Sequence, residues 1–111
     1  MEPRDIVQAA IDAYHDHDLD ACLAFYAPDA VVRQIDGTIE MEGSEVVRAR
    51  YASQMERHPN LRYVSPNRIA VGDYVIDEER ITGLTGSSDV KRAALIYRFE
   101  GGLIKEIWVI K

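Results

Sequence analysis

Tyr14 and His17 stand three residues apart in a segment of helical periodicity, so nearly one turn separates them. At that spacing a phenol and an imidazole can serve one ligand as an acid/base pair; the plainer alternative is a core tyrosine beside a hydrogen-bonded histidine. Asp77-Glu78-Glu79 is a second acidic constellation. Strand alternation sends Asp77 and Glu79 to one face and Glu78 to the other. If that face lines a pocket, burial would raise the pKa of a carboxylate on it, Asp77 or Glu79, and make it a catalytic candidate, with Asp77 carried forward. The alternative is pairing with Arg80 or Arg92 across strands or at the rim. Gln34 can donate and accept, which suits orienting a ligand rather than moving a proton, or else it is a buried amide satisfied by Tyr14 or Tyr51. His15-Asp16-His17-Asp18-Leu19-Asp20 has the residue types of a metal site. On a helix, however, histidines two apart point about 200° apart, so no chelate forms and neither metal nor cofactor is expected. Cys22 lies in an apolar stripe with no adjacent base and reads as core. No phosphate-binding glycine loop, dinucleotide fingerprint or nucleophile elbow is present.

These groups must be positioned by a short series of elements. Residues 3–16 read as an amphipathic helix with Pro3 in its first turn. Ile6, Val7, Ala10, Tyr14 and His17 form its inner face; Arg4, Gln8, Asp12, His15 and Asp16 form the outer one. Asp18 can cap a second helix running from Leu19 to about Ala27, stopped by Pro28. Ala30–Ile35 is a β-branched strand, Asp36-Gly37 a hairpin turn, and Thr38–Met41 the return strand. A third helix starts at Gly43-Ser44 with Ser44 as cap, turns Val47, Tyr51 and Met55 inward, and ends at Pro59-Asn60. The remainder is strand: Leu61–Val71, with Pro66 marking a bulge or an edge, then Tyr74–Thr82, Val90–Glu100 and Leu103–Lys111. Gly72-Asp73, the Gly/Ser-rich loop 83–89 and Gly101-Gly102 join these four into an antiparallel meander.

With 111 residues, 47% of them apolar, the chain makes one folded domain. Nineteen acids against thirteen bases give a net charge of −6, which argues against nucleic acid as a partner. There is no apolar run of membrane-spanning length and no leader-like N-terminus; the single cysteine precludes an internal disulfide, so a cytoplasmic location is expected. In the last strand Ile107 and Val109 occupy one face, and Ile104, Trp108 and Ile110 the other. A sheet with a wet outer face would alternate apolar with polar. The outer residues Ile104, Trp108 and Ile110 are therefore expected to pack on a second copy of the chain as a homodimer.

The order helix, short helix, strand pair, helix, four-stranded meander resembles that of nuclear transport factor 2-like (SnoaL-like) proteins. Asp18-Leu19-Asp20 with Phe25-Tyr26-Ala27-Pro28-Asp29-Ala30-Val31-Val32, then Gly43, Val47 and Tyr51, then Tyr97-Arg98-Phe99-Glu100-Gly101-Gly102-Leu103-Ile104 carry the likeness along nearly the whole chain. The resemblance implies a single α+β domain over residues 1–111, a cone in which a strongly curved antiparallel or mixed sheet wraps three N-terminal helices and leaves a pocket at its open end. That fold hosts isomerases, cyclases, dehydratases, epoxide hydrolases and non-enzymes.

The catalytic positions of the resembled enzymes are poorly matched. The ketosteroid isomerase machinery is an Asp base with a Tyr and a protonated Asp as oxyanion donors. Those positions fall on Gln34, Ala10 and Leu95, although Tyr26 and Tyr51 match tyrosines of the isomerase wall. Limonene epoxide hydrolase pairs an Arg with two Asp around a water. Arg80 matches the Arg, but Thr82 and Val109 stand where the acids belong, and Val109 also replaces the late-strand acid of SnoaL-type cyclases. Scytalone dehydratase uses strand histidines, and all three histidines here precede residue 59. The expected function is a pocket for a small apolar ligand lined by Tyr14, Tyr26, Gln34, Tyr51, Leu95, Tyr97 and Ile107. The alternatives are an isomerase- or cyclase-type enzyme using Tyr14, His17 or Asp77, and a dimerising interaction module.

Overall fold

The computed structural model describes residues 1–111. Two helices, α1 (Pro3–His15) and α2 (Leu19–Leu23), precede the strand pair β1 (Tyr26–Gln34) and β2 (Ile39–Glu42); a third helix, α3 (Ser44–Arg57), leads into β3 (Arg62–Val71), β4 (Tyr74–Thr82), β5 (Lys91–Glu100) and β6 (Leu103–Ile110). The strands form one sheet in the order β2-β1-β6-β5-β4-β3. β3 to β6 are the antiparallel meander, and β1 joins it parallel to β6, which makes the sheet mixed. The helices cover one face and the sheet does not close, giving the α+β cone. No helix is long and apolar enough to cross a membrane.

The local chemistry explains most boundaries. Asp18 caps α2, its carboxylate accepting from the Ala21 N–H at 3.1 Å. That helix stops at Leu23, short of Ala27, and β1 starts at Tyr26 and runs through Pro28. The proline is tolerated because the β1–β6 ladder is interrupted between Tyr26 and Val31. The cap of α3 is Gly43 rather than Ser44: at φ +92 it turns the chain sharply out of β2, and Ser44 becomes the first helical residue with no side-chain cap bond. Gly83, at φ +78, permits a close backbone approach, since a Cβ there would lie 1.9 Å from the Asn60 carbonyl oxygen.

Two bulges reset which face the side chains take. In β3, Val64 pairs with Arg80 and Asn67 with Glu78, so Ser65-Pro66 carries an extra residue, as Pro66 suggested. The shift of phase turns Arg68 inward, opposite Asp77. In β6, Ile104 pairs with Phe99 and Glu106 with Arg98, which makes Lys105 the extra residue. Ile104 therefore faces the helices and is fully buried beside Ile107, correcting its assignment to the outer face; Trp108 is half-buried and Ile110 exposed, on the side away from the helices. Val7, Val47, Val75 and Ile104 lie at the centre of a core of 19 apolar side chains between helices and sheet. Sealing such side chains from water is the main favourable term of the fold, roughly 1.5–3 kcal/mol each.

Candidate functional site

Between α1, α3 and the inner face of β3–β5 the core leaves a cavity of about 80 Å³. α1 contributes Val7, Ala10, Ile11 and Tyr14, α2 Cys22, β1 Tyr26 and α3 Tyr51; Tyr63, Glu79, Leu95 and Tyr97 come from β3, β4 and β5. Ten of the eleven lining residues are hydrophobic, so Glu79 is the one carboxyl on the wall.

The phenol groups are engaged with one another and with their surroundings. The Tyr26 and Tyr51 hydroxyls lie 2.9 Å apart, Tyr14 donates to Gln54 Oε1 at 3.1 Å, and Tyr97 donates to Glu79 Oε2 at 3.4 Å. The rings meet nearly at right angles: Tyr14 with Tyr51 at 90°, Tyr14 with Tyr63 at 75°, Tyr26 with Tyr51 at 78°. Burial raises the pKa of every one of these phenols, Tyr14 to about 12, so all stay protonated at neutral pH. Burial likewise pushes the Cys22 thiol up to about 12, which leaves it inert as a nucleophile.

Glu79 is 3% exposed. Burial pushes its pKa up to about 7, the nearby Asp77 carboxylate adds to the rise, and the Tyr97 hydrogen bond and Arg68 oppose it. Asp77, two residues earlier on the same face, is completely buried and already satisfied. Arg68 grips it through Nε at 2.6 Å and Nη2 at 2.9 Å, and the Ser65 hydroxyl donates at 2.7 Å. Arg68 in turn reaches α1 through Gln8 Oε1 at 2.9 Å. Its charge is thereby committed to Asp77, and Glu79 keeps a single, long hydrogen bond.

Tyr14, Tyr26, Tyr51, Leu95 and Tyr97 thus share one cavity, while the other residues picked from the sequence lie elsewhere. Gln34 is exposed at the end of β1, beyond the cover of the helices, and donates to Glu40 at 3.2 Å; it lines a separate, mostly polar depression. Ile107 faces inward but is packed into the core away from the cavity. His17 is exposed because α1 ends at His15 and the chain turns left-handed at His17, φ +58, so the helical spacing to Tyr14 does not extend that far. His15, assigned to the outer face, is instead half-buried: its ring stacks on Tyr63 and its Nε2 accepts the Tyr63 N–H at 2.9 Å. Desolvation, aided by Arg62, lowers its pKa and keeps it neutral. Asp77 does not line the cavity, and its partner is Arg68; Arg80 and Arg92 belong to the outer face, where they pair with Glu78. Among the polar and aromatic cavity residues, Tyr63 was not singled out from the sequence, and Glu79 was named beside Asp77 but not carried forward. Glu79 was visible as the residue sharing a face with Asp77; Tyr63 carried no signal beyond strand alternation. No group of three or more His, Cys, Asp or Glu is placed to hold a metal ion.

Residues 7–107 match the family model of the SnoaL-like domain. No curated protein matches the chain. Among solved structures, an uncharacterised cystatin-fold protein from Novosphingobium aromaticivorans is 26% identical, with TM-score 0.91 over 100% of this chain and 99% of that one. A proposed polyketide cyclase from Sinorhizobium meliloti is 22% identical, TM-score 0.78, over 95% and 93%. A protein of ketosteroid isomerase-like fold from Catenulispora acidiphila, solved in complex with trimethylamine, is 21% identical, TM-score 0.79, over 100% and 87%. At 21–22% identity the last two likenesses carry the fold and leave the ligand to this chain's own residues.

Proposed function

The chain belongs to the SnoaL-like domain family, and we propose that as a member of it the protein binds a small, largely apolar molecule in the tyrosine-lined cavity. The observation that carries this reading is an unfilled apolar space with one buried, under-bonded carboxyl on its wall. The size of the space restricts the occupant. Pockets for drug-sized ligands run to roughly 300–1,000 Å³, so 80 Å³ excludes a whole steroid or polyketide and fits a few heavy atoms. Glu79, with its pKa near 7, can also exchange a proton with what is bound. An isomerase-type activity in this pocket would therefore run through Glu79, not through His17 or Asp77. The free, buried Cys22 fits a reducing compartment such as the cytoplasm.

Titration of ¹⁵N-labelled protein with small apolar probes (cyclopentane, butan-2-one, tert-butanol) tests the reading. At least one is expected to shift the amides of Tyr14, Tyr51 and Leu95, and Leu95→Trp, which fills the cavity, is expected to weaken that binding at least about tenfold. Silence of those amides to every probe would sink it.

The outer sheet face favours self-association as a second property. Ile69, Ile76, Ile96 and Trp108 stand in register across β3, β4, β5 and β6, a continuous apolar row. Ion pairs of Arg33 and Arg98 with Glu106, and of Arg80 and Arg92 with Glu78, lie around it. An apolar centre with both charge signs at its margin is self-complementary under a two-fold axis. Trp108→Glu is expected to halve the mass seen by light scattering while leaving the far-UV circular dichroism unchanged. A wild type that already runs as a monomer would refute the dimer.

A further inference from the structure

We infer that the occupant of this cavity is a methylated amine, held as its ammonium cation among the tyrosine rings with the Glu79 carboxylate as counter-charge. The inference rests on the pocket reading above and narrows its ligand class. Five of the chain's six tyrosines line this one cavity, so the aromatic content is concentrated here and not spread through the core. The rings pack edge to face at 75–90°, so their planes point in several directions around the space. The π-face of each ring carries negative potential, which attracts a cation more strongly than an uncharged ligand of the same shape.

The hydrogen-bonding state of the wall points the same way. The hydroxyls of Tyr14, Tyr26, Tyr51 and Tyr97 already have partners. A ligand rich in donors and acceptors would find few free groups, and each of its polar atoms left unmatched would weaken binding. Methylated ammonium groups make no such demand: a quaternary one has no N–H at all, and a tertiary one has a single N–H, which Glu79 can accept. Charge decides the sign. The carboxylates of Asp77 and Glu79 face a single guanidinium, Arg68, and that guanidinium is engaged with Asp77. When Glu79 is ionised, an anion would meet the surplus negative charge, a neutral ligand would leave it unrelieved, and a cation balances it. The 80 Å³ space restricts the group to a compact head, with any longer substituent lying outside the cavity.

The test compares choline with its uncharged isostere 3,3-dimethylbutan-1-ol, titrated at pH 8 into the labelled full chain and followed at the Tyr14, Tyr51 and Glu79 amides. Choline is expected to bind at least about tenfold more tightly than the alcohol, from the cation–π and counter-charge contributions. Glu79→Gln is expected to remove most of that preference. Equal affinities for the two in the wild type would overturn the amine inference and leave the pocket reading standing. Failure of choline to shift the cavity amides overturns it as well, and the apolar-probe titration then decides the pocket reading separately.

Discussion

Arg68→Met is expected to destabilise the fold by about 3–5 kcal/mol, measured by urea unfolding at pH 7. Arg68 and Asp77 are cross-strand neighbours on the inner face, with Asp77 wholly buried and the arginine side chain 13% exposed. The guanidinium donates to both carboxylate oxygens, a bidentate geometry stronger than two ordinary hydrogen bonds. Methionine keeps much of the apolar stem of arginine and removes the charge. What remains is a carboxylate sealed from water with only the Ser65 hydroxyl for company. The cost is the desolvation of that orphaned charge, not the intrinsic worth of the pair. The double variant Arg68→Met/Asp77→Leu is therefore expected to recover most of the loss, because an apolar pair of similar volume needs no compensation. It also keeps the prediction testable should the single variant not fold. A single-variant cost below about 1 kcal/mol would mean that water reaches Asp77.

This ion pair shows where a reading of the sequence stops. The elements, their order and the meander were legible because helical and strand periodicities, the Asp18 cap and the glycine turns are local signals; the parallel pairing of β1 with β6 is not local, and a mixed sheet was one option implied by the family resemblance. Pro66 even flagged the bulge in β3. What local signals do not carry is the phase that follows a bulge. One extra residue at Ser65-Pro66 turns Arg68 from outside to inside, and one at Lys105 does the same to Ile104. Arg68 was thus missed as the partner of Asp77, and Ile104 was assigned to the wrong face. Element ends set the other limit. His17 satisfies the angular spacing of α1, but the helix has already ended. Gln34 satisfies the alternation of β1, but it lies past the helices that make the inner face an interior. The tyrosine wall was legible because Tyr14 and Tyr97 still obey the periodicity of α1 and β5, and because Tyr26 and Tyr51 match wall tyrosines of the resembled isomerase. The choice between Asp77 and Glu79 was not, because both share a face and only the position of Arg68 decides which carboxylate is already paired.

Glu79→Gln is expected to stabilise the protein by about 3 kcal/mol at pH 8 and to leave it nearly unchanged at pH 4. Burial raises the pKa of Glu79 from its ordinary 4.5 to about 7. Between those values the folded chain holds a proton that the unfolded chain has released. The wild-type fold therefore loses stability as pH rises from 4.5 to 7, and the full loss is present above 7. Glutamine is uncharged throughout and can still accept the Tyr97 hydrogen bond, so its advantage over the wild type should grow through that window and then level off. His15 acts with the opposite sign: its lowered pKa means that stability is lost as pH falls below its ordinary 6.5. It is present in both proteins and cancels in the difference between them. Unfolding of the two proteins at a series of pH values is the measurement, and a difference that stays flat from pH 4 to 8 would show that Glu79 is solvated. The expected gain bears on function. The phenols, the thiol and Asp77 are each either held neutral or already paired, whereas Glu79 carries its charge at pH 8 against the interests of the empty fold. A bound cation would remove that penalty, so choline should raise the thermal midpoint of the wild type at pH 8 and leave that of Glu79→Gln almost unmoved.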